Sequence, residues 1–229
     1  MSDDARAALK RKAAEAAASL VNDGMVVGLG TGSTAALAIE ALARRVAEGL
    51  RIVAIPTSER SAAQAREGGI TLTDFAAHPA IDLTIDGADE VARGTLDLVK
   101  GLGGALLREK IVAAASARLV IVVDGAKLVD RLGSTTAVPV EVVPFGWEAT
   151  AHHIHALGGA PAQRRTGADP FRTDGGNFIL DCQFGPIDDP AALDGKLQSI
   201  VGVIETGFFI GRTAEVLVAD TAGVHRMTP

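Results

Sequence analysis

Several stretches of this chain bring together side chains able to hold an anion and take up a proton. Gly30-Thr31-Gly32-Ser33-Thr34 follows a short apolar run and opens a helical pattern. Glycines let the backbone approach a ligand there, helix-start amides point outward, and the hydroxyls add donors. That combination suits a phosphate. Asp86-Gly87-Ala88-Asp89 places two carboxylates three positions apart just past another apolar run. Lys100-Gly101-Leu102-Gly103-Gly104 puts a lysine at a strand end, beside glycines that can form an anion-binding nest. Glu109 lies about one turn into the helix that follows. Asp124-Gly125-Ala126-Lys127 closes a further run with another lysine.

Each motif has a plainer reading. A tight turn capped by Ser33 would look like the first, and an isolated Asp-Gly-Ala-Asp is most often a solvated Asx turn. Glu109, flanked by Arg108 and Lys110, equally suits a solvated helix face. Company favours chemistry, because every one of these motifs falls at the carboxyl end of an expected strand. Ligands of open α/β sheets bind at that edge. Gly30-x-Gly32-x-x-Ala35 also fits the loose dinucleotide fingerprint, but the acidic ribose ligand expected about 20 residues on is missing. No lysine follows the glycines, which excludes a Walker loop. A mononucleotide or a sugar phosphate fits best.

Other candidates carry less. His152 and His155 share a helix face with His153 between them, but no Cys, Asp or Glu motif of ligand spacing surrounds them. They read as solvated helix residues, so no metal is expected. Cys182 lies in an apolar strand without a neighbouring base and reads as packing. No G-x-S-x-G elbow is present for a serine hydrolase.

Hydrophobic periodicity predicts the elements that carry these motifs. Helices are expected at about 4–21, 33–48, 58–67 and 104–115, and strands at 25–29, 51–55, 81–85, 96–99 and 119–123. Apolar strands alternating with helices imply a parallel sheet covered on both faces, a doubly wound Rossmann-like α/β fold. The rhythm then changes. A strand at 138–143, a helix at 147–157, strands at 160–165 and 177–182, a helix at 190–200 and a strand at 201–209 give β-α-β-β-α-β. That is the order of a small ferredoxin-like α+β domain. The segment 214–219 is one more apolar strand, expected to return to the first sheet.

Composition narrows the class. The chain has 229 residues, 48% of them hydrophobic. At this length a compact fold buries roughly 70–75% of the surface of its unfolded chain, so no disulfide framework is required. Cys182 is the single cysteine and points to no oxidising compartment. The charged N-terminal stretch is no secretory signal, and no apolar run nears the ~20 residues of a membrane span. The expectation is a soluble, cytoplasmic chain with no membrane partner. Lys and Arg number 22 against 28 Asp and Glu, a net charge of −6, which argues against nucleic acid. Aromatic residues make up 3%, with no tyrosine, leaving little to stack on bases.

The motifs together carry a resemblance. GLGTGSTA, TIDGADEV, LVKGLGGALLREKIV, VDGAKLVDRLG and PVEVVPFGW are similar, in order and spacing, to the type A ribose-5-phosphate isomerases. DGGNFILD and VIETGFF extend the likeness over essentially the whole chain. The resemblance implies a Rossmann-like catalytic domain (1–132 plus 208–229) and an inserted ferredoxin-like α+β lid (133–207). It also implies a cytoplasmic homodimer or homotetramer, without metal or cofactor, acting on a sugar phosphate in the pentose phosphate pathway. By motif, Glu109 resembles the base that moves a proton between C1 and C2. Asp86, Asp89 and Lys100 resemble the groups that assist ring opening and stabilise the enediolate. Thr31, Gly32, Ser33, Thr34 and Lys127, with Lys10 from the first helix, resemble the phosphate site. Gly87, Ala88, Gly101, Leu102 and Gly103 complete the substrate loops. Two features depart from the pattern. Leu102 stands where many relatives have glycine, and the segment from Pro56 to Glu59 matches loosely enough to be left out of the site.

The chemistry agrees with that expectation. Aldose–ketose isomerisation removes a proton from carbon beside a carbonyl, which needs a carboxylate near the carbon and donors at the developing oxyanion. A non-catalytic sugar-phosphate sensor of the same fold would not need Glu109, Lys100 and both aspartates. An aminosugar-phosphate deaminase would want a histidine at the sheet's carboxyl edge, and the five histidines lie elsewhere.

Overall fold

The structure is a computed structural model that describes residues 3–221 and 223–229, the side chains of residues 3–6 excepted. It divides into two compact units. The first comprises residues up to Ala88, Arg108–Leu128 and Arg212–Pro229, and the second comprises Asp89–Leu107 and Val129–Gly211.

In chain order, helix α1 (Asp3–Ala18) leads to β1 (Val26–Leu29), α2 (Ser33–Ala47), β2 (Val53–Pro56), α3 (Glu59–Glu67), β3 (Thr71–Leu72) and β4 (Leu83–Asp86). Two short strands follow, β5 (Glu90–Ala92) and β6 (Leu98–Val99), then α4 (Leu106–Ala114), β7 (Leu119–Asp124) and β8 (Leu128–Val129). Next come β9 (Val138–Val142), α5 (Trp147–Ala156), β10 (Ala160–Gln163), β11 (Arg165–Thr166), β12 (Asp169–Pro170) and β13 (Phe178–Gln183). The chain finishes with α6 (Pro190–Gln198), β14 (Val203–Thr206), β15 (Phe208–Phe209), β16 (Glu215–Asp220) and β17 (Gly223–Met227).

In the first unit, among the described residues, a seven-stranded sheet runs β17-β16-β7-β4-β1-β2-β3. Its pairs are parallel apart from the β16–β17 hairpin. Strand order therefore grows outward from β1 to β3, then restarts on the other side of β1 with β4. This is the doubly wound arrangement, and β1 and β4 flank the switch point. Both β4 and β7 are buried along their whole length, as strands of a parallel sheet covered on both faces should be. One face packs against Ala13, Ala14 and Ala17 of α1 and Ala38, Ile39 and Leu42 of α2. Small alanines let those helices lie close to the strands. On the other face Val112 of α4 joins Ile55 and Ile81.

In the second unit, one four-stranded sheet runs β10-β13-β9-β14, with every neighbouring pair antiparallel. Its inner side chains, Val138, Val140, Val142, Leu180 and Cys182, form a core with Ile154 of α5 and Leu197 of α6. A second sheet, β15-β6-β5-β8, is built from short pieces.

Two sequence expectations are corrected, and a third holds with an addition. The 96–99 strand does not join the parallel sheet: it shrinks to β6 and pairs antiparallel with β5, because only a short turn separates them. The 201–209 strand is broken at Gly207 into β14 and β15, which lie in different sheets. Gly207 donates its N–H to the Pro139 carbonyl and accepts from Lys100 N–H. A Cβ there would come within 2.4 Å of the Lys100 carbonyl oxygen. The tail does return to the parallel sheet as β16, but it then folds back as β17, a polar edge strand without a clear apolar alternation.

Candidate functional site

The glycine loop after β1 and the aspartate at the end of β4 meet at the switch point. Gly30 N–H donates to the Ile85 carbonyl at 2.9 Å. Thr31 N–H donates to Asp86 Oδ1 at 3.1 Å, and Gly87 N–H donates to the same oxygen at 2.8 Å. Asp86 is 1% exposed, so backbone amides hold its carboxylate in a fixed orientation. Gly30 is required for this approach, since a Cβ on it would lie 2.1 Å from Asp86 Oδ1.

The Thr31 hydroxyl turns inward. Its Oγ1 lies 2.7 Å from Thr57 Oγ1, 2.8 Å from Ser58 Oγ and 3.3 Å from Ser61 Oγ. Ser61 Oγ donates to the Gly30 carbonyl at 2.7 Å. Ser58 meanwhile caps α3 by accepting from Ser61 N–H at 3.1 Å. The loop after β2, left out of the sequence-derived site, is therefore the buttress of the glycine loop. Its signal was present as three hydroxyls at a strand's carboxyl end, but nothing local says which loop they support. Helix α2 starts at Ser33 with Gly32 as its N-cap residue and no side-chain cap. Its first amides are thus oriented for an anion, consistent with the phosphate reading. Ser33 is exposed and Thr34 buried.

Cations flank this loop. Lys10 of α1 reaches Ser33 Oγ at 3.5 Å and stands 3.9 Å from Asp124 Oδ2. Asp124 ends β7, and its Oδ1 accepts Ala126 N–H at 3.0 Å, shaping the short turn that presents Lys127. Glu109 lies in the first turn of α4 and is 3% exposed. Its neighbour Arg108 points elsewhere, donating to Glu59 Oε1 at 2.8 Å and holding that carboxyl below its usual range.

The second unit carries the remaining candidates. Lys100, at the end of β6, is 2% exposed with Nζ 5.4 Å from the centre of the Phe209 ring. Its N–H bonds the Gly207 carbonyl at 2.8 Å. Asp89 N–H donates to the Val99 carbonyl at 2.8 Å, and Asp89 Oδ2 accepts Leu102 N–H at 2.9 Å. Leu102 does not adopt a positive φ, and its side chain is 44% exposed. A leucine fits because this position contributes an amide rather than a bare backbone. Gly101 and Gly104 do take positive φ values of 105° and 85°. Arg164, absent from the sequence-derived site, donates from Nη1 to the carbonyls of Gly101 at 2.9 Å and Leu102 at 3.1 Å.

The set-aside residues stay apart from these groups. His152 and His153 are exposed on α5 with rings 5.9 Å apart, and His155 Nδ1 lies 3.0 Å from the Gly159 carbonyl. Cys182 is buried, and desolvation, with Asp181 adding repulsion, pushes its thiol far up. Among the described residues no group of three or more His, Cys, Asp or Glu has the geometry to hold a metal ion. No described helix is long and apolar enough to cross a membrane.

Comparison with known proteins adds a family. The model of ribose 5-phosphate isomerase A (phosphoriboisomerase A) matches residues 53–223. Ribose-5-phosphate isomerase A of Gloeobacter violaceus is 58% identical over 221 residues, spanning 96% of both chains. That of Gluconobacter oxydans is 58% identical over 222 residues, again 96% of both. The structure of ribose 5-phosphate isomerase A from Methanocaldococcus jannaschii superposes with a TM-score of 0.93 at 40% identity, covering 97% of this chain and 99% of that one. A D-ribose-5-phosphate isomerase in complex with phospho-erythronic acid superposes equally well, TM-score 0.93 at 38% identity over 97% of this chain and 98% of the other.

Proposed function

The chain belongs to the ribose 5-phosphate isomerase A family, and from that premise we propose how its residues divide the work. The protein is an isomerase interconverting ribose 5-phosphate and ribulose 5-phosphate. The phosphate sits on the amides that open α2, with Ser33 and Thr34 as further donors and Lys127 and Lys10 supplying charge. Thr31 serves that loop through its backbone, since its hydroxyl faces Thr57 and Ser58. Asp86 and Asp89 assist opening of the furanose ring. Glu109 then takes the proton from C2 and returns it to C1, a positioned base being worth roughly 10²–10⁴ in rate. Lys100 and the amides of Gly101 and Gly103 stabilise the enediolate oxygen, each good donor contributing on the order of 10²–10³, while Leu102 serves the site through its N–H to Asp89. Gly87 and Ala88 line the sugar with backbone.

The observation that carries this reading is the hydrogen bond from Thr31 N–H to Asp86. It ties the anion loop to a buried carboxylate at the switch point, where an α/β fold binds its ligand. The order of the seven-stranded sheet supports a Rossmann-like fold for a catalytic domain drawn at 1–132 plus 208–229. The order β10-β13-β9-β14 supports a ferredoxin-like α+β fold for a lid drawn at 133–207. However, β5, β6, β8 and β15 form a sheet of their own, and residues 89–107 group with the second unit. We also place the protein in the cytoplasm, as a homodimer or homotetramer serving the pentose phosphate pathway without a cofactor, as the family implies. Incubation with ribose 5-phosphate, followed by detection of ribulose 5-phosphate, tests the activity. Phospho-erythronic acid should compete with substrate, because its carboxylate sets negative oxygens where an enediolate has them.

A further inference from the structure

A single arginine, remote in sequence from the strand-end motifs, holds the loop that follows Lys100. We propose that Arg164 is a positioning residue for the isomerisation, acting on Asp89 through the Gly101–Leu102 peptide. The proposal rests on the reading of Asp89 as a group that works on the sugar.

Arg164 Nη1 donates to the carbonyl of Gly101 at 2.9 Å. A trans peptide is planar, so that carbonyl and the N–H of Leu102 belong to one rigid plate and point in opposite directions. On the far side of the plate, Leu102 N–H donates to Asp89 Oδ2 at 2.9 Å. A cation pulling on the carbonyl polarises the amide and strengthens the N–H donor, as linked hydrogen bonds do in a low-dielectric setting. Guanidinium, peptide and carboxylate thus form a continuous chain. The second bond, from the same nitrogen to the Leu102 carbonyl at 3.1 Å, fixes the next plate and with it the direction of Gly103 N–H.

Arg164 is itself held firmly. Its Nε donates to Asp181 Oδ2 at 2.9 Å and its Nη2 pairs with Asp181 Oδ1. Asp181 lies on β13, paired to β9 and β10 on its two sides. The guanidinium carbon lies 5.7 Å from the centre of the Phe171 ring. That ring packs on Gly104, where a Cβ would come within 2.4 Å of it. The side chain is 14% exposed, so solvent screens its part-buried bonds to Asp181 and to the Gly101 carbonyl weakly. A lysine carries the charge but lacks the planar fork that serves Asp181 and the carbonyls together.

The test is a double-mutant cycle read in kcat with ribose 5-phosphate as substrate. Arg164→Lys should lower kcat roughly 10–100-fold, the weight of a charge-assisted hydrogen bond, with KM within about threefold of wild type. Asp181→Asn removes the anchor and leaves the arginine, and it should reproduce the direction and the kcat-only character of that loss. Combining Arg164→Lys with Asp89→Asn should cost little beyond Asp89→Asn alone, because the arginine acts through that carboxylate. A structural role instead predicts independent losses that multiply. Wild-type kcat in both Arg164→Lys and Asp181→Asn, or multiplying losses in the double variant, overturns the proposal while leaving Asp89 in place. Unimpaired turnover in Asp89→Asn overturns both the proposal and the role of Asp89.

Discussion

The backbone N–H of Thr31 donates to Asp86 Oδ1 at 3.1 Å, and Gly30 makes that contact possible by lacking a side chain. The relationship couples the loop we propose for the phosphate to the carboxylate we propose for ring opening. A Cβ at position 30 would lie 2.1 Å from the carboxylate oxygen and 2.7 Å from the Asp86 Cα. Gly30→Ala must therefore push β1 and β4 apart at their carboxyl ends. The expected cost is about 1–3 kcal/mol of stability, as for overpacking elsewhere, together with a fall in kcat/KM. Thermal unfolding alongside steady-state kinetics checks both, and a wild-type kcat/KM would show that the contact is dispensable.

Glu109→Gln should leave the fold intact and nearly abolish turnover. The amide keeps the shape but cannot accept the carbon-bound proton, so a loss of roughly 10²–10⁴ in kcat is expected. Wild-type enzyme in heavy water should place deuterium at C2 of the aldose or C1 of the ketose. Turnover near wild type in the variant, or product without label at every time, would remove Glu109 from its role.

The proposed phosphate site predicts a substrate preference. Lys127→Ala should raise KM for ribose 5-phosphate by roughly one to two decades, from about 1.5–3 kcal/mol for a charge-assisted bond. Lys10→Ala should do so less, since Lys10 already lies near Asp124 and Ser33. Free ribose should be a very poor substrate, because binding energy at the phosphate also positions the reacting end. Comparable kcat/KM for ribose and ribose 5-phosphate would refute the anion loop.

Glu90, the last residue of the Asp-Gly-Ala-Asp-Glu run, is a structural carboxylate. It is fully buried and accepts from Gly133 N–H, Thr135 N–H, Thr135 Oγ1 and Thr136 N–H, at 2.5–2.9 Å. Glu90→Gln turns an acceptor into a donor facing donors. A loss of about 3 kcal/mol or more is expected, seen as a marked fall in the denaturant midpoint. A midpoint within error of wild type would mean that the 133–136 turn holds itself.

Local chemistry made much of this protein legible. The apolar run of β7 is continuous because both faces are covered, and the order of the main helices and strands followed from period. The strand-end motifs were readable for a similar reason: the chemistry that a helix-opening glycine loop or a lysine at a strand end could do is written within a few residues. The tertiary structure decided how those motifs are held. Arg164 meets the Leu102 carbonyl across 62 positions, and Ser61 meets the Gly30 carbonyl across 31. An arginine or a serine at either place looks like any polar residue, because its partner is chosen only when the chain folds back. Strand pairing was hidden for the same reason. Residues 201–209 read as one strand, yet they serve two sheets, because close approach to Lys100 and Pro139 at Gly207 forces the chain to turn. Period and composition record which face of an element is buried, whereas the neighbour that buries it is set by long-range packing.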